Sequence, residues 1–275
     1  MSIKEEGREP DMKDVGVEKG EHKRGDPDKS RRVNLGGIVP LSTVDWTGVA
    51  ATVVFLRGCP LKCPHCQNWH LRSGESFEDL AVVEEKIRSA SPFVSAVVLS
   101  GGEPLAQPRA AQNIARLAKE LGLKVGIETC GFYPEVLRNF LEAELVDHVF
   151  LDVKAPLADP EYARATGRPG AAPKVEECLK TCLALDVPLE VRTTVFPEMP
   201  SAEDVGTIGE LLRNLGIGSL TIQQGRPRKG EEPFDPVPAG ELRDLAEAVK
   251  KLIGIEAEYR ARGDDGDDDE YEQRK

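Results

Sequence analysis

The chain has 275 residues, of which 40% are hydrophobic, enough to build one large domain or two small ones. Acidic residues outnumber basic ones by 48 to 36, and the resulting net charge of −12 argues against a broad basic face that wraps nucleic acid. No apolar run reaches the roughly 18 residues that a membrane span needs, and the amino terminus is unlike a targeting peptide. These features predict a cytoplasmic protein that binds neither nucleic acid nor membrane.

Both ends of the chain differ in composition from its middle. Residues 1–32 hold few aliphatic residues among many charges, and such a segment buries too little apolar surface to offset its ordering entropy. Residues 259–275 include a run of acidic residues that is typical of a solvated tail rather than a docking arm. We therefore predict two disordered tails around one folded domain over residues 33–258, which no repeat or linker divides.

Within the folded domain, short runs rich in Val, Ile and Phe alternate with segments of helical periodicity. The helix predicted at Pro108–Leu121 has one apolar stripe, Pro173 suits the first turn of another helix, and Ser201 with Asp204 resembles a capping box. The runs show little strict alternation, as expected for parallel strands that are buried on both faces. The predicted strands are Ala51–Leu56, Ala96–Leu99, Lys124–Ile127, His148–Val153, Leu189–Val195 and Leu220–Gln223. Six such βα repeats predict an α/β fold, a partial (β/α)6 barrel.

Polar residues follow nearly every predicted strand at its carboxyl end, where barrels of this kind build their active sites. Because these ends meet at one edge of a parallel sheet, we expect a single polar mouth. The residues at these ends are a cysteine loop after Arg57, Gly101–Gly102–Glu103, Glu128–Thr129–Cys130, Asp152 and Lys154, Arg192–Thr193–Thr194, and Gln223–Gln224.

Three cysteines lie close together directly after the first predicted strand. Cys59, Cys63 and Cys66 form a Cys-x3-Cys-x2-Cys motif, and thiolates are the usual ligands of iron–sulfur clusters. A 4Fe–4S cluster takes four ligands, so three thiolates leave one iron open to a small chelating molecule. Two alternatives remain at this point: a structural zinc site completed by His65 or His70, and three buried cysteines without a metal.

A second motif follows one strand later, at Ser100-Gly101-Gly102-Glu103-Pro104. Two consecutive glycines expose main-chain groups to a ligand, and a carboxylate suits an ammonium group. In isolation these residues would also fit a simple turn. After a cysteine motif of this spacing, a binding role is the stronger interpretation.

Together these motifs resemble those of radical S-adenosylmethionine enzymes. The stretch from Gly36 to Trp46, which leads into the cysteine loop, resembles the glycyl-radical-enzyme activases, in particular the anaerobic ribonucleoside-triphosphate reductase activating proteins and the pyruvate formate-lyase activating enzymes. The resemblance covers about residues 33–225. Gln67 stands where many activases have His, and Thr47 stands where Pro is common.

The resemblance implies a role for each matching residue. It makes Cys59, Cys63 and Cys66 the ligands of a 4Fe–4S cluster with one open iron. S-adenosylmethionine would be bound by Gly101, Gly102 and Glu103 at its methionine amino group, by Asp152 and Lys154 elsewhere on the methionine part, by His65 and Gln67 near the adenine, and by Arg192 and Gln223. Asp152 and Lys154 are also compatible with a purely structural ion pair. Cys130, Cys178 and Cys182 are better explained by core packing than by a second cluster.

The resemblance also implies an anaerobic oxidoreductase. The reduced cluster would cleave S-adenosylmethionine to methionine and a 5′-deoxyadenosyl radical, which would abstract hydrogen from a glycine of a partner glycyl radical enzyme, anaerobic ribonucleotide reductase being the first choice. A ferredoxin or flavodoxin would supply the electron. The alternatives are a radical enzyme of the same fold that acts on another protein or a small molecule, and a non-catalytic iron–sulfur electron carrier.

Overall fold

The computed structural model describes residues 31–227 and 234–261, so the predicted tails lie almost wholly outside the described residues. The strands are β1 Arg32–Ser42, β2 Ala51–Leu56, β3 Phe77–Asp79, β4 Ala96–Gly101, β5 Lys124–Thr129, β6 His148–Asp152, β7 Leu189–Val195, β8 Ser219–Gln224 and β9 Glu256–Arg260. The helices are α1 Leu80–Ala90, α2 Pro108–Glu120, α3 Pro134–Glu142, α4 Glu161–Thr166, α5 Ala172–Ala184, α6 Ala202–Leu215 and α7 Ala239–Ala248, and a π-helical turn follows at Val249–Ile253.

All nine strands of the described residues form one sheet, in the order β3-β1-β2-β4-β5-β6-β7-β8-β9. From β2 onward each neighbouring pair is parallel, whereas β1 runs antiparallel to both β2 and β3. The two edge strands, β3 and β9, do not pair with each other, so the sheet stays open. The predicted α/β fold with an open parallel barrel is confirmed.

The predicted strands agree with β2 and β4–β8 to within two residues, and the predicted helical features are also present. Pro173 lies in the first turn of α5, and Ser201 and Asp204 form a capping box at α6. Three strands were not predicted. Of these, β9 ends at Arg260, two residues beyond the predicted end of the domain, and β1 contains a glycine pair and a proline that interrupt its pattern.

Two groups of apolar side chains lie on the two faces of the sheet. The larger group lies between the sheet and its helices and includes Cys178 and Cys182, which are fully buried as predicted. The smaller group lies on the opposite, concave face of β2 and β4, and Trp46 packs against it. Trp46 also contacts the rings of His148 and Phe150 in β6, so the loop after β1 covers this face of the sheet near the start of β6.

Among the described residues, no helix combines the length and apolar character that crossing a bilayer requires.

Candidate active site

A cavity of about 310 Å³ opens on the concave face, at the carboxyl ends of the parallel strands. This volume lies at the lower end of the range for small-molecule sites. Eleven of the twelve residues predicted from the sequence line it: Cys59, Cys63, His65, Cys66, Gln67, Gly101, Gly102, Asp152, Lys154, Arg192 and Gln223. The fold therefore brings together strand ends that are far apart in the sequence.

Backbone hydrogen bonds hold the cysteine loop in shape. The Gly58 amide donates to the Leu71 carbonyl at 2.8 Å, and the Cys59 amide donates to the Arg72 carbonyl at 3.1 Å. Gly58 has a φ of +95°, which other residues rarely adopt, so glycine is required where the chain leaves β2. The loop is thus closed at its base, and its three cysteines face the cavity.

The three cysteine side chains lie in surroundings that suit ligands of a positively charged group. Burial raises the pKa of Cys63 to about 11 and also raises that of Cys66, whereas a hydrogen bond with Cys130 lowers the pKa of Cys59. A buried thiolate needs a compensating cation, and iron supplies one. The donor set therefore fits an iron–sulfur cluster held by Cys59, Cys63 and Cys66.

The zinc alternative finds no support in the geometry of the described residues. Within residues 31–227 and 234–261, no three His, Cys, Asp or Glu side chains converge closely enough to hold a single metal ion. A zinc site needs four donors at about 2.0–2.3 Å from one atom. A 4Fe–4S cluster instead binds each thiolate through a different iron, so its ligands need not converge on one atom.

Gly101 and Gly102 bring the end of β4 against the cysteine loop. A Cβ atom at Gly101 would lie 2.2 Å from the Leu56 carbonyl oxygen, and one at Gly102 would lie 2.5 Å from the Gly58 carbonyl oxygen. The Gly101 carbonyl in turn accepts a hydrogen bond from Asn68 Nδ2 at 3.1 Å. The glycines therefore permit a close backbone approach, as well as exposing main-chain groups to the cavity.

Glu103 is the one predicted residue that does not line the cavity. Its fully buried carboxylate accepts hydrogen bonds from the Cys130 amide at 2.7 Å, from Thr129 Oγ1 at 2.9 Å and from the Leu105 amide at 3.0 Å. Contact between this carboxylate and the cofactor's amino group stays a prediction. The structure gives Glu103 a further role, because its bonds tie the end of β4 to the end of β5.

Asp152 and Lys154 face the cavity together at the end of β6. Lys154 Nζ lies 2.9 Å from Asp152 Oδ2, so the ion pair considered from the sequence is present. Burial would by itself lower the pKa of Lys154, but attraction to Asp152 outweighs it and raises the pKa well above its usual value. Lys154 therefore stays charged at neutral pH and places a cation beside the cysteines.

Arg192 crosses the floor of the cavity. Its guanidinium donates to Glu190 at 2.6 Å, to Glu128 at 2.7 Å and to the Asp45 carbonyl at 3.0 Å. It also lies over the ring of Phe150, 4.1 Å from the centroid. Three of its five N–H groups are thus engaged within the protein, so Arg192 positions its neighbours whether or not it touches the cofactor.

Two acidic residues of the cavity wall were not among the predicted site residues. Glu128 accepts a hydrogen bond from Ser100 at 2.6 Å as well as from Arg192, and burial raises the pKa of its carboxyl. Asp45 reaches the cavity from the loop after β1. Glu128 stood at a predicted strand end, which was a usable signal. Asp45 belongs to the stretch that carries the family resemblance, but no strand was predicted there to place it at the cavity.

The cysteine loop also contacts the opposite side of the mouth. The His65 ring stacks on that of Phe196 after β7 at 4.6 Å between centroids, and Gln67 Nε2 donates to the Arg226 carbonyl after β8 at 2.8 Å. Gln223 lies between these loops and accepts from Thr194 at 3.3 Å. His65 and Gln67 therefore join the first parallel strand to later ones across the cavity.

Comparisons with known proteins assign the chain to a family. The model of the Radical SAM superfamily matches residues 53–212, which include the cysteine loop and the ends of β4–β7. The chain belongs to the radical SAM superfamily, whose members hold a 4Fe–4S cluster and S-adenosylmethionine.

Within the superfamily, the chain is of the glycyl-radical-enzyme activating type. It is 34% identical over 226 residues to a Methanocaldococcus jannaschii protein provisionally named a glycyl-radical enzyme activating enzyme, covering 80% of this chain and 92% of that one. It is 29% identical to the pyruvate formate-lyase-activating enzyme of Clostridium pasteurianum, covering 66% and 76%. It is also 32% identical to the 7-carboxy-7-deazaguanine synthase of Hyperthermus butylicus, covering 65% and 80%.

Solved structures show the same fold. A radical SAM methyltransferase from Sphaerobacter thermophilus superposes with a TM-score of 0.63 at 16% identity, covering 78% of this chain and 67% of that one. Streptococcus suis SuiB bound to S-adenosylmethionine superposes with a TM-score of 0.61 at 16% identity, covering 75% of this chain. The chain spans about half the length of SuiB, 48%.

Proposed function

We propose that this protein installs a glycyl radical on a partner enzyme in the cytoplasm, with anaerobic ribonucleoside-triphosphate reductase as the first candidate partner. The observation that carries the proposal is the match to the M. jannaschii protein, which is 34% identical over 226 residues and spans 92% of that protein. When bound, the cluster and S-adenosylmethionine supply a 5′-deoxyadenosyl radical that abstracts hydrogen from carbon.

The residues of the chain bind and orient these groups. The cluster is held by Cys59, Cys63 and Cys66. Lys154 is available to the carboxylate of the cofactor's methionine part, and the main chain at Gly101 is available to its ammonium group. Lys154 is charged and borders the cavity, and the Gly101 carbonyl is an acceptor. His65 and Gln67 restrict access by bridging the mouth, which limits solvent around a reactive radical.

The shape of the sheet supports a protein substrate. Because β3 and β9 do not pair, the concave face is open between them, and an extended glycine-bearing loop could approach from that side. Such a loop would have to leave its folded position and become ordered in the activase, so the complex should be weak and transient.

Replacement of Lys154 by alanine is expected to weaken S-adenosylmethionine binding by roughly 10- to 150-fold, because a hydrogen bond to a charged group contributes about 1.5–3 kcal/mol. Equilibrium dialysis of the reconstituted protein would measure this. Lys119→Ala is the matched control, since Lys119 forms a 2.6 Å ion pair with Asp147 near the opposite ends of the strands. Equal affinities in the two variants would show that the cofactor lies elsewhere.

Radical transfer is tested by mixing the reduced holoprotein, S-adenosylmethionine and the candidate reductase from the same genome. We expect an EPR doublet from a carbon-centred glycyl radical, split by its one remaining α-hydrogen. The radical persists because the unpaired electron is shared with the flanking amide groups. The doublet should disappear when the target glycine of the reductase is changed to alanine. Formation of 5′-deoxyadenosine without any protein radical would contradict this assignment.

That contrary outcome would favour a second candidate, a radical enzyme of the same fold that acts on a small molecule. The observation behind it is the 32% identity to the 7-carboxy-7-deazaguanine synthase. The two candidates share the cluster and S-adenosylmethionine, so they differ only in the molecule from which hydrogen is abstracted.

A further inference from the structure

Four basic side chains surround the outer side of the cysteine loop, although the whole protein carries a net charge of −12. Lys62 lies between Cys59 and Cys63 and is exposed, while the half-buried residues Arg72, Arg168 and Lys174 come from three other segments. We call these four residues the basic rim. None of them lines the cavity.

Contacts join the basic rim into one surface. The Lys62 amide donates to the Thr166 carbonyl at 2.7 Å, and a Cβ atom at Gly167 would lie 2.9 Å from Cβ of Lys62, so the segment that ends in Arg168 packs against the cysteine loop. Arg168 and Lys174 share one aromatic ring, because their charged groups lie 5.3 Å and 3.7 Å from the centroid of Phe132.

The basic rim also contacts the cluster ligands directly. Arg72 Nη1 donates to the Cys63 carbonyl at 3.3 Å. Cys63 Sγ lies 4.0 Å from the Thr166 carbonyl oxygen, two residues before Arg168. A molecule bound to the basic rim would therefore lie against the outer side of the loop that holds the cluster, with the cavity left free for S-adenosylmethionine and substrate.

We propose that the basic rim is the docking surface for a small acidic protein that carries single electrons, of the ferredoxin or flavodoxin class. The proposal rests on the proposed function, since it requires the cluster held by Cys59, Cys63 and Cys66. One electron leaves the reduced carrier and enters the cluster, which passes from its 2+ to its 1+ state while the carrier is oxidised by one electron. No proton is transferred.

Charge complementarity is the physical reason for this choice of occupant. Attraction between a basic patch and an acidic partner accelerates encounter and orients the partner, and reversing the charge of the patch makes like charges face each other, which weakens binding. Acidic residues near the rim have partners of their own: Glu161 lies 3.4 Å from Arg164, and Asp159 accepts from the Gly170 amide at 3.2 Å. In an acidic protein, which repels acidic partners elsewhere, this patch would direct the carrier to the cluster.

The test uses the reconstituted holoprotein and purified ferredoxin from the same genome. Two variants alter the basic rim. The double rim variant is Lys62→Glu/Arg168→Glu, and the single variant is Lys174→Glu, in α5. The control is Lys124→Glu/Arg88→Glu, which makes the same charge change where β5 begins and α1 ends. Isothermal titration measures the dissociation constant, and stopped-flow bleaching measures the rate of cluster reduction by ferredoxin and by photoreduced deazaflavin.

We expect the double rim variant to bind ferredoxin at least about 10-fold more weakly than the unaltered protein, and Lys174→Glu to bind it about 3-fold more weakly, with the control unchanged. Affinity of the unaltered protein should fall as ionic strength rises from about 0.05 to about 0.3 M. Reduction by deazaflavin should be the same in all variants.

The experiment distinguishes failure of the proposed function from failure of the docking surface. An unaltered protein that holds no cluster would overturn the proposed function. A normal cluster with equal ferredoxin affinity in the rim variants and the control would overturn only the docking surface. Weaker binding of the candidate reductase to the rim variants, with ferredoxin binding unchanged, would assign this surface to the substrate protein instead and would likewise overturn the proposal.

Discussion

Replacement of Cys63 by alanine is expected to abolish the iron–sulfur cluster. Cys63 is half-buried and supplies one of the three thiolates of the cysteine loop, and two thiolates are too few to hold the cluster. After anaerobic reconstitution, iron and sulfide analysis should fall from about four of each per chain to near zero. The visible absorption of the cluster and the EPR signal of its reduced form should disappear with it.

Cys182→Ala is the matched control for this experiment. Cys182 is fully buried in α5 within the larger apolar group, away from the cavity, so the same chemical change should leave the cluster intact. It should lower stability by no more than about 1–3 kcal/mol, as a small cavity in the core does. A normal cluster in Cys63→Ala protein would show that the three-cysteine assignment is wrong.

Replacement of Gly101 by alanine is expected to cause the largest loss of stability of any single methyl group added near the site. Gly101 has a φ of +123°, a region essentially restricted to glycine, and the new Cβ would lie 2.2 Å and 2.4 Å from the Leu56 carbonyl oxygen and amide nitrogen. These are backbone atoms of a paired, buried strand and cannot move aside. We expect a loss of about 3–5 kcal/mol from strain and overpacking together.

Urea unfolding of the apoprotein, followed by circular dichroism, measures this loss. Gly206→Ala is the control, because Gly206 lies within α6 with no atom within 4 Å of an added Cβ. There the same substitution should stabilise the protein by up to about 1 kcal/mol through helix propensity. Equal midpoints for the two variants would mean that β2 and β4 do not approach each other as closely as described.

The expected effects of Cys63→Ala and Gly101→Ala distinguish the function of the cysteine motif from that of the glycine motif. Loss of a cysteine removes the metal group and leaves the fold, whereas a methyl group at Gly101 damages the fold before any ligand binds. The close approach of β4 to β2 also leaves Glu103 buried outside the cavity lining. There its hydrogen bonds to Thr129 and Cys130 connect the end of β4 to the end of β5. The glycine motif is therefore a structural joint as well as a binding element.

Patterns within short segments of sequence were sufficient for much of this protein. Buried parallel strands are continuous apolar runs, so β2 and β7 could be read with their correct ends. The spacing of Cys59, Cys63 and Cys66 indicated a cluster, and the alternation of strands and helices placed the polar strand ends at one mouth. In each case the signal lies within a few consecutive residues, and periodicity or ligand spacing is a local property of the chain.

The strands that the sequence did not predict lack such a local pattern. β1 contains Gly36, Gly37 and Pro40, and its pairing with β2 shifts register at Gly36 and again at Pro40. β-bulges of this kind interrupt the alternation from which strands are recognised. β9 lies at the edge of the sheet, and much of it is charged. Without β1, the sequence offered no reason to place Asp45 in the cavity.

Only the tertiary structure decided which polar groups are available to a ligand in the cavity and which form hydrogen bonds to other groups of the protein. Glu103 and Arg192 both stand at strand ends, yet the first is fully buried by partners on β5 and the second is held by Glu128 and Glu190. Those partners lie 27, 64 and 2 residues away along the chain. A buried charge must satisfy its hydrogen bonds wherever the fold brings a partner within reach, and that choice depends on strand register and loop packing, which no short segment encodes alone.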